Sequence, residues 1–164
     1  MTKILRRRAL PFIAAGALSF LAACTTAPPP RSFTGTAEDK TAEALGAVNA
    51  LRASKGLSAL SVAAPSQDAA LKQASRMAAN GQMKHLMGIT DSFGARMKAS
   101  NVPLPAAENI GAGQQTTDAV VKAWIASPHH LENMLGPSYT TLGVAVARDP
   151  ASGNHPYWAM VLSR

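Results

Sequence analysis

The chain has 164 residues, with 16 basic and 9 acidic side chains and a formal net charge of +7. The basic residues form no block with interleaved aromatic residues, so the sequence does not support nucleic-acid binding and we expect no nucleic-acid partner. Its single cysteine, Cys24, excludes an internal disulfide bond.

The first 23 residues have the order of a secretory signal peptide. Lys3 and the arginines at positions 6–8 precede an apolar run at residues 9–23. That run is shorter than the roughly 20 residues that a membrane span needs. Removal of this segment would leave 12 basic and 9 acidic residues, a net charge of only +3.

The signal ends in Leu21-Ala22-Ala23-Cys24, which resembles the lipobox of bacterial lipoproteins. The resemblance implies cleavage before Cys24 and acylation of this residue, with three acyl chains that would anchor the protein in a membrane. The alternative is an ordinary signal peptide that happens to contain a cysteine. Thr25 stands where an inner-membrane retention signal usually has Asp. We therefore expect a membrane-anchored lipoprotein outside the cytoplasm, at the outer membrane if the organism is Gram-negative.

Residues 24–37 are rich in Thr and Pro and lack hydrophobic periodicity, so we interpret them as the acylated cysteine and a flexible tether. Residues 38–164 are long enough for one domain with its own core. No internal repeat divides this domain.

Hydrophobic periodicity and capping residues predict five helices in the domain. In the second, Ser66 is predicted to be the N-cap, and its many alanines predict close packing. Arg52 and Asn49 are expected to attach the first helix to neighbouring loops. The predicted helical ranges are 38–54, 65–80, 91–99, 117–126 and 128–135.

Two β-rich runs at residues 141–147 and 157–162 are separated by a polar turn, which predicts an antiparallel hairpin. Trp124, Tyr139 and Trp158 are expected to be core aromatics. The predicted fold class is α+β, with helices that cover an antiparallel sheet.

Four ordered segments resemble the SCP domain of the CAP superfamily, the group of cysteine-rich secretory proteins, antigen 5 and pathogenesis-related proteins, in its bacterial form. The resemblance spans residues 40–162 and implies an α-β-α sandwich around an antiparallel sheet. The segments are Asn49-Ala50-Leu51-Arg52 with Gly56-Leu57 and Leu60, Lys84-His85, Glu108-Asn109-Ile110, and Trp124 with Ser127-Pro128 and His130, which leads to Tyr139-Thr140 and Leu142-Gly143-Val144.

The resemblance also implies a cleft lined by two histidines and two acidic residues. His85, Glu108 and His130 match three of these positions, whereas no acidic residue between Trp124 and His130 matches the fourth. Adjacent residues of a helix point about 100° apart, so we expect His130 rather than His129 to face the cleft.

Two histidines and one glutamate could hold Zn²⁺ with a water in the fourth position, so zinc is a candidate cofactor with His85, Glu108 and His130 as ligands. The alternative is that these residues only hold loops together through hydrogen bonds. The same three residues are the candidates for catalysis, but the sequence has no Gly-x-Ser-x-Gly elbow, and Ser127 is expected to cap the last helix.

We therefore expect a binding or interaction module for a lipid, glycan or protein rather than an enzyme. A peptidase-like hydrolase that uses metal or His/Glu acid-base chemistry is the alternative. The methionines at positions 77, 83, 87, 97 and 134 are interpreted either as gap-filling core residues or as the walls of a lipid-accepting groove.

Overall fold

The predicted hairpin forms the centre of a five-stranded sheet in the computed structural model, which describes residues 31–164. The strand order is β1-β4-β5-β3, and these neighbours pair antiparallel, while the short β2 pairs parallel with β4. The strands are β1 (Thr36–Asp39), β2 (Ser61–Val62), β3 (Ala106–Ala112), β4 (Thr141–Arg148) and β5 (Tyr157–Ser163). The hairpin is thus confirmed, whereas periodicity did not predict the outer strands.

All five predicted helices are present, with ends that differ by at most three residues from the predicted ranges. They are α1 (Thr41–Ala53), α2 (Ala64–Asn80), α3 (Phe93–Ala99), α4 (Thr117–Ile125) and α5 (Pro128–Met134). One 3-10 turn, Pro150–Ser152, lies in the loop between β4 and β5. The helices were predictable because each carries an apolar stripe or a recognisable first or last residue.

The sheet separates two layers of helices, each with its own apolar core. Residues of α1, α4 and α5 pack on one face, and residues of α2 and α3 pack on the other. Alternate residues of β4 enter different cores, as Val144 and Ala145 do, because strand side chains point alternately to opposite faces. The predicted α+β sandwich is confirmed, and Trp124 and Trp158 are both buried as expected.

Helix α2 packs directly against β4, as its alanines predict. A Cβ atom at Gly143 would lie 2.2 Å from the backbone of Ser66, so glycine permits this approach. The prediction that Ser66 caps α2 is wrong, since the N-cap is Ala63. Ser66 is instead buried in the first turn, where its hydroxyl is 3.2 Å from the hydroxyls of Thr141 and Ser163.

Arg52 ties α1 to two loops, as predicted. Its buried guanidinium donates to the carbonyl oxygens of Ser58, Met134, Gly136 and Tyr139. Asn49 exchanges two hydrogen bonds with the backbone of Leu60. These bonds fix loops that carry no regular structure of their own.

The described fold begins slightly before residue 38. β1 starts at Thr36, and the Thr34 N–H donates to the carboxylate of Asp149 at 2.8 Å. Cys24 and the predicted signal peptide lie outside the described residues. Among residues 31–164, no helix is both long and apolar enough to cross a membrane.

Candidate functional site

Glu108 is the buried centre of the candidate site. It lies on β3, the edge strand of the sheet, and its side chain is only 2% exposed. His85 Nδ1 is 2.9 Å from Oε1 of this carboxylate, while the His85 side chain is 51% exposed. The pair therefore joins a buried acid to the surface through an imidazole.

Arg96 of α3 holds the other side of the same carboxylate. Its guanidinium donates to Oε2 of Glu108 at 2.8 Å and to Oε1 at 3.1 Å, and also to the backbone oxygen of His85 at 3.1 Å. Such two-pronged pairing fixes the planes of both groups. Glu108 thus has both oxygens occupied by cationic or imidazole partners.

A second carboxylate continues this network. Asp91 lies 3.5 Å from Nε of Arg96, accepts the N–H of Met87 at 2.8 Å, and pairs with Arg76 of α2. Burial raises the pKa of Asp91, but hydrogen bonds from Arg76 and Met87 outweigh that effect, so its pKa lies below the ordinary value. The loop that carries His85 is therefore held between two carboxylates.

Asn109 connects the opposite face of β3 to α5. Its side-chain amide donates to the backbone oxygen of His130 at 3.0 Å, and its oxygen accepts from Asn133 at 2.8 Å. Successive strand residues point to opposite faces, so Glu108 contacts the α3 side and Asn109 the α5 side. The Glu-Asn pair therefore links the two helical layers across the sheet edge.

His130 is half-buried, whereas its neighbour His129 is exposed, in line with the expected helical spacing. Burial lowers the pKa of His130, and the charges of His85 and His129 lower it further. The effect of His85 indicates that the two imidazoles are electrostatic neighbours. The lowered pKa therefore favours the neutral form of the His130 ring at neutral pH.

The arrangement does not fit the zinc site considered from the sequence. Among residues 31–164, no group of three His, Cys, Asp or Glu side chains is placed to hold a metal ion. Both oxygens of Glu108 face the Arg96 guanidinium or His85, and a cation beside Arg96 would be repelled. We therefore derive no chemistry through a metal.

The structure also shows no activated nucleophile. Within the described residues neither His85 nor His130 is hydrogen-bonded to a hydroxyl group, and Ser127 occupies the N-cap of α5 without a side-chain capping bond. The predicted capping position is therefore right, but the predicted bond is absent. What this site can do is offer one exposed and one half-buried imidazole to a partner.

Sequence reasoning missed Arg96, Asp91 and Arg76. Their side chains form ion pairs across loops, and such pairs leave no periodic pattern in the sequence. One feature of the sequence could have indicated Arg96 as a partner of Glu108. Arg96 lies in the last turn of a short helix, 12 residues before Glu108.

The sandwich and the His-Glu arrangement at its edge strand define an SCP-type domain. The sequence model of the cysteine-rich secretory protein family, CAP, matches residues 45–162, and the chain belongs to this family. The family resemblance seen in the sequence is thereby confirmed.

Three solved structures share the fold. An outer surface protein from Borrelia burgdorferi has a TM-score of 0.68 at 18% identity, over 80% of this chain and 98% of that one. An extracellular SCP-domain protein from Bacillus anthracis has a TM-score of 0.65 at 22% identity, over 75% and 39%. A cysteine-rich secretory protein from Staphylococcus aureus has a TM-score of 0.58 at 18% identity, over 76% and 38%.

One curated relative, the uncharacterized protein YkwD of Bacillus subtilis, is 45% identical over 53 residues. The match covers 32% of this chain and only 18% of the relative. The family model establishes the family and the solved structures establish the fold, and a shared fold does not fix an activity.

Proposed function

We propose that this chain is an envelope lipoprotein whose CAP domain binds a polar partner at the surface of His85, Glu108 and His130. The observation that carries the proposal is the occupation of both Glu108 oxygens by Arg96 and His85. A carboxylate held in this way is a poor general base, since His85 and Arg96 already occupy three of its about four lone-pair sites. It is well suited to hold His85 in one orientation.

The partner is a glycan or a protein segment. Imidazole nitrogens donate and accept hydrogen bonds, which suits hydroxyl and amide groups. The acyl chain of a lipid, the third class considered from the sequence, would offer neither histidine a polar contact at this surface. The polar lining therefore favours a partner that has hydrogen-bonding groups of its own.

The signal-like residues 1–23 and the lipobox-like sequence before Cys24 support the anchor and the location outside the cytoplasm. The names of two structural neighbours, an outer surface protein and an extracellular protein, agree with this location. If the organism is Gram-negative, Thr25 favours the outer membrane.

A hydrolase is the second candidate, and one observation favours it. The lowered pKa of His130 keeps its imidazole neutral at pH 7, which is the form that a general base requires. In that case His130 would activate a water molecule directly, with no metal.

The binding test uses soluble chitooligosaccharide as the glycan probe and follows chemical shifts by NMR. We expect shifts around His85 and His130, and affinities about tenfold weaker in His85→Ala and His130→Ala. His155→Ala, in the loop before β5, is the matched control and should bind like the parent. If no variant changes the affinity, the site assignment is wrong. If the parent does not bind the glycan, the same experiment with envelope-derived peptides tests the protein partner.

Two further measurements separate the alternatives. Cleavage of the probe by the parent, lost in His130→Ala, would establish the hydrolase. Calorimetry with Zn²⁺ should show no site that both histidine substitutions abolish, and a tight zinc site shared by the two histidines would contradict the binding proposal. For the anchor, labelled palmitate should enter the parent but not Cys24→Ala, which should leave the membrane fraction.

A further inference from the structure

The loop of residues 81–92, which joins α2 to α3, exposes apolar side chains to solvent. Met83, Leu86 and Ile89 are 52%, 49% and 106% exposed, and all three lie within residues 83–89. The loop contains no helix or strand that would pack these side chains. Exposed apolar residues that are grouped in this way mark a surface that contacts a protein or a membrane.

The N-terminal segment of the described chain lies beside this loop. Arg31 and Phe33 line a largely apolar cavity of about 950 Å³, and Met87 and Gly88 of the loop line the same cavity. The remaining wall comes from α2 and α3. The first described residues therefore approach the domain next to residues 83–89.

Two contacts at one end of the sheet agree with this placement. The Thr34 N–H donates to Asp149, which directly follows β4. A Cβ atom at Gly81, where the loop begins, would lie 3.6 Å from Ser152 in the turn after Asp149. The N-terminal segment and the start of the loop are thus attached to the same turn.

The proposed lipid anchor would hold this part of the domain close to a bilayer. Cys24 lies seven residues before Arg31. Seven fully extended residues span at most about 25 Å, so a bilayer that holds Cys24 lies within that distance of Arg31. This step rests on the proposed function. It makes a membrane the apolar partner that the loop meets first.

The exposed charge of the loop is positive. Residues 81–90 include Lys84 and contain no Asp or Glu. The two carboxylates that contact the loop, Asp91 and Glu108, are only 12% and 2% exposed, and each is paired with an arginine. The loop therefore complements the anionic headgroups of phospholipids.

We propose that this loop is a second membrane contact. Met83, Leu86 and Ile89 enter the interfacial region of a bilayer that contains anionic phospholipids, while Lys84 stays among the headgroups. Interfacial binding strengthens with buried apolar area and with attraction to anionic lipids, and the loop offers both. The contact orients the domain, because two attachments restrict the rotation that a single tether allows.

The test places an environment-sensitive fluorophore, NBD, in the loop. The full chain with Cys24→Ser receives Thr90→Cys, is labelled, and is mixed with vesicles of phosphatidylcholine and phosphatidylglycerol. The emission should shift to the blue and should be quenched by spin labels on the lipid acyl chains. No change with vesicles would overturn the proposal.

Ser61→Cys is the matched control for the label. Ser61 and its neighbour Val62 are exposed, and Val62 pairs with Leu142, six residues along β4 from Arg148. Six residues of strand span about 20 Å, so this position is far from the turn that holds the N-terminal segment. Residues 1–23 are present in both proteins, so any attachment that they provide is the same. Equal responses at the two positions would overturn the proposal.

The apolar contribution is tested with Ile89→Ser in the Thr90→Cys protein. The ratio of inserted to exposed label should fall about tenfold, because an isoleucine side chain no longer leaves water. Val62→Ser removes another exposed apolar side chain and should leave the ratio unchanged. An unchanged ratio in Ile89→Ser would also overturn the proposal.

The charge contribution is tested with Lys84→Gln. The ratio should fall about fivefold on vesicles with phosphatidylglycerol and should not change on phosphatidylcholine alone. Lys55→Gln, an exposed lysine after α1 in the other helical layer, is the control. A label response that requires an added envelope protein would overturn the proposal in favour of a protein partner. Because these proteins lack Cys24, and palmitate labelling tests the anchor separately, either proposal can fail alone.

Discussion

Arg96 donates two hydrogen bonds to Glu108, at 2.8 and 3.1 Å, and the carboxylate is almost fully buried beneath it. The two residues are 12 positions apart and belong to different elements, α3 and β3. Arg96 thereby supplies the positive charge that compensates a buried acid. Because the pair is shielded from water, breaking it has a larger effect on stability than breaking a surface ion pair.

Substitution Arg96→Met should lower the free energy of unfolding by about 3–5 kcal/mol, because it leaves Glu108 buried without its cation. Urea denaturation at pH 7 measures this loss. The double variant Arg96→Met with Glu108→Gln should regain most of the stability, since the uncompensated charge is then absent. If the double variant is no more stable than Arg96→Met alone, the loss of the ion pair with Glu108 does not cause the loss of stability.

His130 should titrate below the ordinary value of 6.5, because burial and the charges of His85 and His129 all disfavour its protonation. NMR titration of the imidazole protons measures this pKa. Substitution His85→Gln should raise the pKa of His130 by removing one positive neighbour, while His155→Gln should leave it unchanged. An unchanged value in His85→Gln would mean that the two histidines do not share a surface.

The same shift predicts a pH dependence of stability. Since the pKa of His130 is lower in the folded state, the unfolded chain binds more protons as the pH falls below about 6.5. The stability that the neutral His130 ring contributes is therefore fully present above that pH, and it is lost as the pH falls towards the pKa of the folded state. Thermal unfolding between pH 5 and 8 should show a melting temperature that changes less with pH in His130→Gln than in the parent. An identical pH dependence in the two proteins would contradict the assignment of this effect to His130.

Asp149 should make stability sensitive to acid. Its carboxylate is buried and accepts the backbone N–H groups of Thr34 and Ala151 at 2.8 Å, and these bonds lower its pKa from the ordinary 3.8. Its contribution is present above pH 3.8 and is lost as the pH falls through the folded pKa. Asp149→Asn should be less stable at pH 7 and should take up about one proton fewer on acid unfolding. Equal proton uptake by the two proteins would argue against this role.

Two identical substitutions should have opposite effects. Gly143→Ala should destabilise the protein by about 1–3 kcal/mol, because the new methyl group would collide with the backbone of Ser66 and push α2 away. Gly46 lies on the exposed side of α1, and a Cβ atom added there would meet no neighbouring atom within 4 Å. Gly46→Ala should therefore stabilise the protein by about 0.5–1 kcal/mol. Urea unfolding of both variants tests the close contact between α2 and β4, and a neutral Gly143→Ala would contradict it.

The helices and the central hairpin were predictable because their patterns are local. The alternation in β4 and β5, the apolar stripe of α1 and the Gly81 end of α2 each lie within one segment. β1 and β3 escaped prediction because they are sheet edges, and what makes them strands is their pairing with β4 and β5. Ser66 was misplaced for a similar reason, since its hydrogen-bond partners lie on distant strands.

The sequence by itself determined the fold class and the family, since spaced motifs and periodic patterns are readable along the chain, and it gave His85, Glu108 and His130 as candidate site residues. Only the tertiary structure decided what these residues do to one another. In the tertiary structure Arg96 contacts Glu108, and Glu108 and Asn109 lie on opposite faces of β3. A largely apolar cavity with several basic side chains in its wall lies between α2 and α3. Ion pairs and cavities depend on contacts between side chains that are distant in the sequence, and a local sequence pattern does not predict such contacts.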